Sequence, residues 1–189
     1  MAKLYFYYST MNAGKTTLLL QHKYKNDEKN FETIILIPYI ANKDGLIISR
    51  IGIKKQAIIL LKHTNIFKYI KNLKKKPKHI LIDEVQFLAK KQIYEIICIV
   101  DILHISVFTY GLRTDFKSQL FNATKYLFSF ADKIVEIKTI CNCGKKAIMN
   151  AKFNNNKKIV HGNQIDINKK SYIPLCRYHY YNTTKLNFK

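Results

Sequence analysis

Residues 3–17 constrain the fold of this chain more than any other stretch. An apolar and aromatic run at 4–8 leads into the sequence STMNAGKT at 9–16, and three leucines follow soon after it. This order predicts a strand, a tight loop and a helix. The loop fits the phosphate-loop pattern G-x-x-x-x-G-K-[S/T] except at its first position, where Ser9 replaces glycine.

The chemistry of such a loop suits a nucleoside triphosphate. Backbone N–H groups curl around the phosphates, and the helix N-terminus directs partial positive charge at them. We expect Lys15 to reach the outer phosphates, the Thr16 hydroxyl to hold Mg²⁺, and Gly14 to let the backbone approach closely. The alternative is an accidental Gly-Lys-Thr tripeptide, which the flanking strand and helix disfavour.

A second motif, formed by two acidic residues, follows an apolar strand predicted at 79–82. Asp83 and Glu84 come directly after it, in the Walker B arrangement. Such a strand carries its carboxylate to the sheet edge beside the phosphate loop, where it supports Mg²⁺. Because side chains alternate along an extended chain, Glu84 is free to take a proton from an attacking hydroxyl or water. The alternative is a pair of solvated acids at a strand end.

Strands and helices alternate over most of the chain. Predicted strands lie at 33–37, 57–61, 79–82, 105–109 and 133–137, and predicted helices at 16–29, 65–76, 90–103 and 120–129, with a polar loop at 41–52. This alternation predicts an α/β fold with a largely parallel sheet. The pattern changes from Cys141 onward, where helical periodicity is lost. We therefore expect a nucleotide-binding domain at 1–140 and a small lobe at 141–189.

Four metal-binding side chains lie in that predicted lobe. Cys141 and Cys143 form one pair, and Cys176 and His179 form another. Three thiolates and one imidazole suit a closed, structural Zn²⁺ site, and a weakly apolar segment needs such a staple. The alternative is a set of buried free thiols. Cys98 falls on an apolar helix stripe, so we expect it in the core.

The charge and hydropathy of the chain limit its partners. The formal net charge is +21 over 189 residues, which raises the question of nucleic acid. The lysines are scattered, however. Lys, Asn, Ile, Tyr and Phe are all abundant and all have A/T-rich codons, so a biased genome would give this composition without a nucleic-acid partner. Nucleic acid is therefore not the expected partner. The sequence contains no stretch of about 18 apolar residues, so we expect no membrane span. The beginning Met-Ala-Lys is not a signal peptide, so a cytoplasmic protein is expected.

Five motifs together resemble those of type II thymidine kinases, the bacterial and cytosolic kind. They are YYSTMNAGKT at 7–16, DEVQF at 83–87, YGLRTDF at 110–116, TICNCG at 139–144 and CRYHY at 176–180. The resemblance covers nearly the whole chain and is closest to the enterobacterial branch, where Ser at the first loop position and Cys-x-Cys also occur. It implies a RecA-type phosphate-loop fold with a zinc lobe whose lasso loop covers the substrate.

The resemblance also implies the reaction thymidine plus ATP to thymidine 5′-phosphate plus ADP. Glu84 is the implied proton acceptor, and Lys15 and Arg50 act on the phosphates. The residues expected to contact ATP and Mg²⁺ are Ser9, Thr10, Met11, Asn12, Ala13, Gly14, Lys15, Thr16, Asp83, Glu84, Val85 and Gln86. The residues expected to contact thymidine are Met11, Phe87, Leu112, Phe116, Phe121, Asn163, Gln164, Ile165, Asp166, Ile167 and Tyr172. The family further implies a homotetramer and feedback inhibition by thymidine triphosphate.

The lasso departs from the family in one respect. Relatives carry Ile-Gly-Gly where this chain has Asp166-Ile167-Asn168. Because a β-branched residue does not adopt positive φ readily, we expect weaker thymidine binding and an intact phosphate site. Two rival functions predict different behaviour: a phosphate-loop ATPase without a nucleoside substrate, and a zinc-ribbon protein that binds nucleic acid with steep salt dependence.

Overall fold

The structure is a computed structural model that describes residues 1–165 and 171–184, and its larger sheet is a parallel one of six strands. Numbered along the chain, its strands are β1 (Leu4–Ser9), β2 (Thr33–Pro38), β5 (Ile58–Leu60), β6 (His79–Ile82), β7 (Ser106–Leu112) and β8 (Lys133–Glu136). Their spatial order is β5-β2-β6-β7-β1-β8, and every pairing is parallel. The predicted α/β fold with a parallel sheet is confirmed.

Helices cover both faces of this sheet. They are α1 (Lys15–Glu28), α2 (Ile66–Lys71), α3 (Lys90–Leu103) and α4 (Asn122–Phe130), and a 3₁₀ turn lies at Val85–Phe87. The side chains of β6 show the two faces, because they alternate along the strand. Ile80 and Ile82 pack with α2, α3 and α4, whereas Leu81 packs with Leu19 and Leu20 of α1.

The segment from residue 149 forms a separate antiparallel sheet. Its strands are β9 (Met149–Asn154), β10 (Lys157–Ile159) and β11 (Ser171–Leu175), in the order β10-β9-β11. Helix α5 (Arg177–Asn182) follows it. This sheet has its own apolar cluster, which includes Phe153, Leu175 and Tyr180. The division of the chain at residue 140 stays a prediction.

Several predicted boundaries are wrong. The predicted polar loop at 41–52 contains β3 (Leu46–Ile48), which pairs in antiparallel fashion with β4 (Lys54–Gln56) to make a hairpin. Helix α2 ends at Lys71 instead of continuing to residue 76. Strand β7 runs on to Leu112, beyond the predicted end at 109. Among the described residues, no helix is both long and apolar enough to cross a membrane.

Candidate active site

The phosphate loop joins β1 to α1 at the carboxyl end of the sheet. Gly14 directly precedes α1 with φ 81°, a left-handed conformation that glycine adopts without cost. The Lys15 ammonium is buried and donates to Ser9 Oγ at 3.1 Å and to the Thr10 carbonyl at 3.0 Å. Burial lowers the pKa of Lys15, while the Glu84 and Asp83 carboxylates oppose that shift.

The acidic pair lies where the sequence predicts it. Asp83 follows the end of β6, and its Oδ2 accepts a hydrogen bond from Thr16 Oγ1 at 2.9 Å. Burial, together with the charge of Glu84, raises the pKa of Asp83 to about 7, although the Thr16 hydrogen bond opposes the shift. This hydroxyl and carboxylate form an oxygen pair of the kind that Mg²⁺ prefers.

Glu84 has an unusual backbone conformation that its neighbours maintain. Its φ is 50°, in the left-handed region, which is uncommon for a residue other than glycine and is often found at functional sites. The Glu84 Oε2 atom accepts from Gln86 Nε2 at 2.5 Å. Gln86 Oε1 in turn accepts from the Leu112 N–H at 3.1 Å. The buried Gln86 side chain therefore holds the Glu84 carboxylate against β7.

An open cleft of about 220 Å³ lies in front of the phosphate loop. Its lining residues are Met11, Asn12, Ala13, Gly14, Lys15, Thr16, Thr17, Ile48, Arg50, Glu84 and Leu112. Arg50 follows β3, and its guanidinium donates to Asn12 Oδ1. Five residues of the predicted ATP and Mg²⁺ set are buried and do not line this cleft: Ser9, Thr10, Asp83, Val85 and Gln86. Their assignment to ATP and Mg²⁺ stays a prediction.

A second, apolar cavity of about 60 Å³ adjoins the first. Seven of the eleven residues expected to contact thymidine line it: Met11, Phe87, Leu112, Phe116, Phe121, Gln164 and Tyr172. Met11 and Leu112 line both cavities. Pockets for small ligands usually measure about 300–1,000 Å³, so this cavity has to widen to admit a nucleoside.

The predicted lasso is described only in part. Asn163 is exposed, and Gln164 Nε2 donates to Asp115 Oδ2 at 3.1 Å. Ile165 lines a different cavity, beside Phe87. Asp166 and Ile167, with the following Asn168, lie outside the described residues.

Sequence reasoning missed three residues that line the apolar cavity. They are Thr114, Asp115 and Asn150. Asn150 is buried on β9, accepts from the Met11 N–H at 2.7 Å and donates to the Thr114 carbonyl at 2.7 Å. Asp115 Oδ1 accepts from the backbone N–H groups of Lys117 and Gln119. Thr114 and Asp115 lie in the motif at 110–116, which is a signal for them. No spacing pattern marks Asn150, because its partners are backbone groups far away in sequence.

The four predicted metal ligands lie together. Their ligand atoms are all within 4.8 Å of one another, with Cys141 Sγ 3.3 Å from His179 Nδ1 and Cys143 Sγ 3.8 Å from Cys176 Sγ. Two sulfurs held about 2.3 Å from a tetrahedral Zn²⁺ are about 3.8 Å apart, so the cluster fits this ion. Burial raises the pKa of Cys141, but backbone N–H groups of Cys143 and Cys176 and the His179 side chain outweigh it and lower the pKa to about 6.

These features define a phosphate-loop nucleotide-binding protein with an apolar second cavity beside the phosphate cleft and a Cys₃His metal cluster. The sequence model of the family described as "Thymidine kinase" matches residues 2–180. The chain is 46% identical to a thymidine kinase of Mannheimia succiniciproducens over 186 residues, which covers 95% of both chains. It is 46% identical to a thymidine kinase of Haemophilus influenzae and 47% identical to one of Zymomonas mobilis, covering 95% of this chain and 96% of theirs. The chain belongs to the thymidine kinase family.

Proposed function

We propose that this protein transfers the γ-phosphoryl group of ATP to the 5′-hydroxyl of thymidine, giving thymidine 5′-phosphate and ADP. The observation that carries the proposal is the meeting of two cavities at Met11 and Leu112. The phosphate loop and Glu84 line the first cavity, and aromatic side chains line the second. A nucleoside in the second cavity would direct its 5′-hydroxyl toward phosphates in the first.

The phosphate cleft supplies the groups that phosphoryl transfer needs. Lys15 and Arg50 would neutralise the charge that develops on the transferred group, because catalysis of this reaction is mainly positioning and electrostatics. Thr16 and Asp83 would hold Mg²⁺, which would supply positive charge against the phosphates. Lys15 now binds the loop itself, so its ammonium exchanges these partners for phosphate oxygens when a nucleotide enters.

Glu84 is the proposed general base. It lines the phosphate cleft, and Gln86 and the left-handed backbone fix its direction. A carboxylate within hydrogen-bond reach of the 5′-hydroxyl takes its proton as the oxygen attacks phosphorus. Asp83 is buried behind the cleft and bound to Thr16, so it does not compete for this role.

The second cavity selects the base by shape and by ring contacts. Phe87 and Phe121 meet edge to face, with ring centroids 5.9 Å apart at 81°. Such a wall suits a planar ring, because aromatic pairs contribute beyond the area they bury. Gln164 and Tyr172 close the cavity on the side of the C-terminal sheet. The lasso residues 163–167 would complete this enclosure over the base.

Zinc would hold the C-terminal sheet and α5 together. Cys176 and His179 flank the start of α5, while Cys141 and Cys143 precede β9, so one ion would join the two ends of this segment. The adjacent Tyr180 hydroxyl donates to the Phe116 carbonyl at 2.5 Å, which links the cluster to the nucleoside cavity. The metal site is thus structural and supports nucleoside binding indirectly.

Three further parts of the proposal come from the resemblance: a type II enzyme of the enterobacterial branch, a homotetramer, and feedback inhibition by thymidine triphosphate. Two others come from the sequence pattern: a cytoplasmic location and a domain division near residue 140. Ser9 at the loop entrance and the Cys-x-Cys spacing support the branch.

A coupled assay of ADP release with a panel of nucleosides tests the function. We expect turnover that depends on thymidine, with little release when no nucleoside is added. Equal ADP release with and without thymidine would instead favour the phosphate-loop ATPase. Salt-sensitive binding of RNA or DNA without any phosphoryl transfer would favour the zinc-ribbon alternative.

A further inference from the structure

One buried side chain of the C-terminal sheet joins the two cavities of the active site. Asn150 is the second residue of β9 and is 2% exposed. Its Oδ1 accepts from the Met11 N–H at 2.7 Å, and its Nδ2 donates to the Thr114 carbonyl at 2.7 Å. Both contacts are at the short end of the range for N–H···O bonds. Backbone pairing of β9 with β11, which places Asn150 opposite Pro174, fixes its position.

The two partners belong to different parts of the site. Met11 is a residue of the phosphate loop and lines both the phosphate cleft and the apolar cavity. Thr114 lines the apolar cavity but not the phosphate cleft. One partner offers an N–H and the other a carbonyl, so the bridging side chain must accept at one end and donate at the other. A primary amide does both, and its orientation here follows from its two partners.

A neighbouring contact joins the same sheet to the same loop. Asn12 Nδ2 donates to the Tyr172 carbonyl of β11 at 3.1 Å, and Arg50 donates to Asn12 Oδ1. Two successive residues of the phosphate loop are therefore held by two adjacent strands of the C-terminal sheet. The position of the loop depends on a sheet that also borders the nucleoside cavity.

We propose that Asn150 is a positioning residue that couples nucleoside binding to nucleotide binding. This inference rests on the proposed function. A nucleoside that widens the apolar cavity presses on Met11 and on the segment at Thr114. Asn150 is hydrogen-bonded to both elements, so the same displacement changes the position of the phosphate-loop backbone. Coupling between two sites is reciprocal, so ATP must strengthen thymidine binding by the factor by which thymidine strengthens ATP binding.

Binding measurements on variants of Asn150 test this coupling. Calorimetry gives the dissociation constants of thymidine and of the β,γ-imido analogue of ATP with Mg²⁺, each with and without the other ligand. In the wild-type protein we expect each ligand to tighten the other by about 5- to 150-fold, the usual range for coupled sites. In Asn150→Leu the ratio should fall toward one, because neither Met11 nor Thr114 keeps its partner.

A second variant separates the two ends of the bridge. Asn150→Asp keeps an acceptor for the Met11 N–H but places an oxygen against the Thr114 carbonyl. We expect the coupling ratio of this variant to fall toward one as well, because the contact with Thr114 is lost. If Asn150→Leu does not fold, the coupling ratio of Asn150→Asp provides the test instead. Asn154→Leu is the matched control, because Asn154 lies on the same strand but is exposed.

Two results would overturn the inference. One is a wild-type ratio near one, and the other is an unchanged ratio in folded Asn150 variants that retain their zinc, since a merely structural residue would lower the melting temperature alone. Thymidine-dependent ADP release is measured on the same wild-type preparation. Its absence counts against the proposed function, whereas its presence with unchanged coupling counts against Asn150 only.

Discussion

Replacement of Gln86 by leucine tests how the structure positions the proposed base. Gln86→Leu keeps most of the side-chain volume but removes both hydrogen bonds, the one to Glu84 Oε2 and the one from the Leu112 N–H. The Leu112 N–H is then buried without an acceptor, which costs about 1–3 kcal/mol of stability. For a chain of this size the melting temperature should fall by roughly 2–12 °C.

The kinetic effect should differ from the effect on stability. A hydrogen bond to a charged group contributes about 1.5–3 kcal/mol, and Gln86 donates such a bond to Glu84 Oε2. Without this hydrogen bond the carboxylate is no longer held in its direction, so kcat should fall by roughly 10- to 150-fold, the equivalent of about 1.5–3 kcal/mol.

Gln92→Leu provides the matched control. Gln92 is also buried, and its side chain accepts from the Ala89 N–H and donates to the carbonyls of Leu61 and Thr64. Because these partners lie outside the phosphate cleft, this change should lower the melting temperature without lowering kcat. A folded Gln86→Leu variant with the kcat of the wild type would refute the proposed positioning of Glu84.

Gly111 offers an independent perturbation of the same contact. A Cβ atom at Gly111 would lie 2.7 Å from Val85 Cγ1 and 2.9 Å from Gln86 Oε1, closer than real contacts allow. Gly111→Ala should therefore displace the Gln86 amide and lower kcat, as Gln86→Leu does.

Four further predictions concern the phosphates, the two metals and the lasso. Lys15→Ala should abolish phosphoryl transfer and weaken ATP binding without unfolding the chain, and normal turnover would show that the loop is not a phosphate site. Asp83 has its pKa raised from 3.8 to about 7, so between these values the folded chain holds a proton that the unfolded chain has lost. Stability without ligand should therefore fall as the pH rises across that window. Mg²⁺ with an ATP analogue needs the ionised acid, so this ligand pair should raise the melting temperature more at pH 8 than at pH 6. Asp83→Asn should remove this difference between the two melting-temperature shifts. Elemental analysis should find one Zn²⁺ per chain, and its chelation should raise the thymidine KM more than the ATP KM; a metal-free, fully active protein would reject the site. Restoring glycine at both Ile167 and Asn168 should lower the thymidine KM by roughly 5- to 150-fold, the equivalent of about 1–3 kcal/mol of backbone strain. If the KM does not change and Gly162→Val causes a large loss of thymidine binding, then Gly162 supplies the turn that the lasso needs.

The sequence predicts best the elements whose side chains face a core. Helix α3 spans Lys90–Leu103 as predicted, because Ile93, Ile96 and Val100 repeat at helical spacing and are all buried. The neighbouring Cys98, expected in the core, is only partly buried. The phosphate loop and the acidic pair follow from local chemistry, so their places beside each other were predictable as well.

The sequence fails where burial is one-sided or absent. In the β3–β4 hairpin, Leu46, Ile48 and all of β4 are exposed, so no alternation of buried apolar residues marks either strand. The C-terminal sheet contains buried polar residues such as Asn150 and Lys152, which obscure the apolar pattern of β9. His22 shows the same limit, since its contact with the Tyr110 hydroxyl spans 88 positions of sequence.

The most direct test of the account is to follow the phosphoryl group itself. The protein is incubated with thymidine, Mg²⁺ and ATP labelled at the γ-phosphate, and the products are separated and identified. We expect the label in thymidine 5′-phosphate, formed in equal amount with ADP, and a rate lower by about 10²- to 10⁴-fold in Glu84→Gln with nucleotide binding retained. Label found only in inorganic phosphate, or a Glu84→Gln variant with near-normal transfer, would contradict the account.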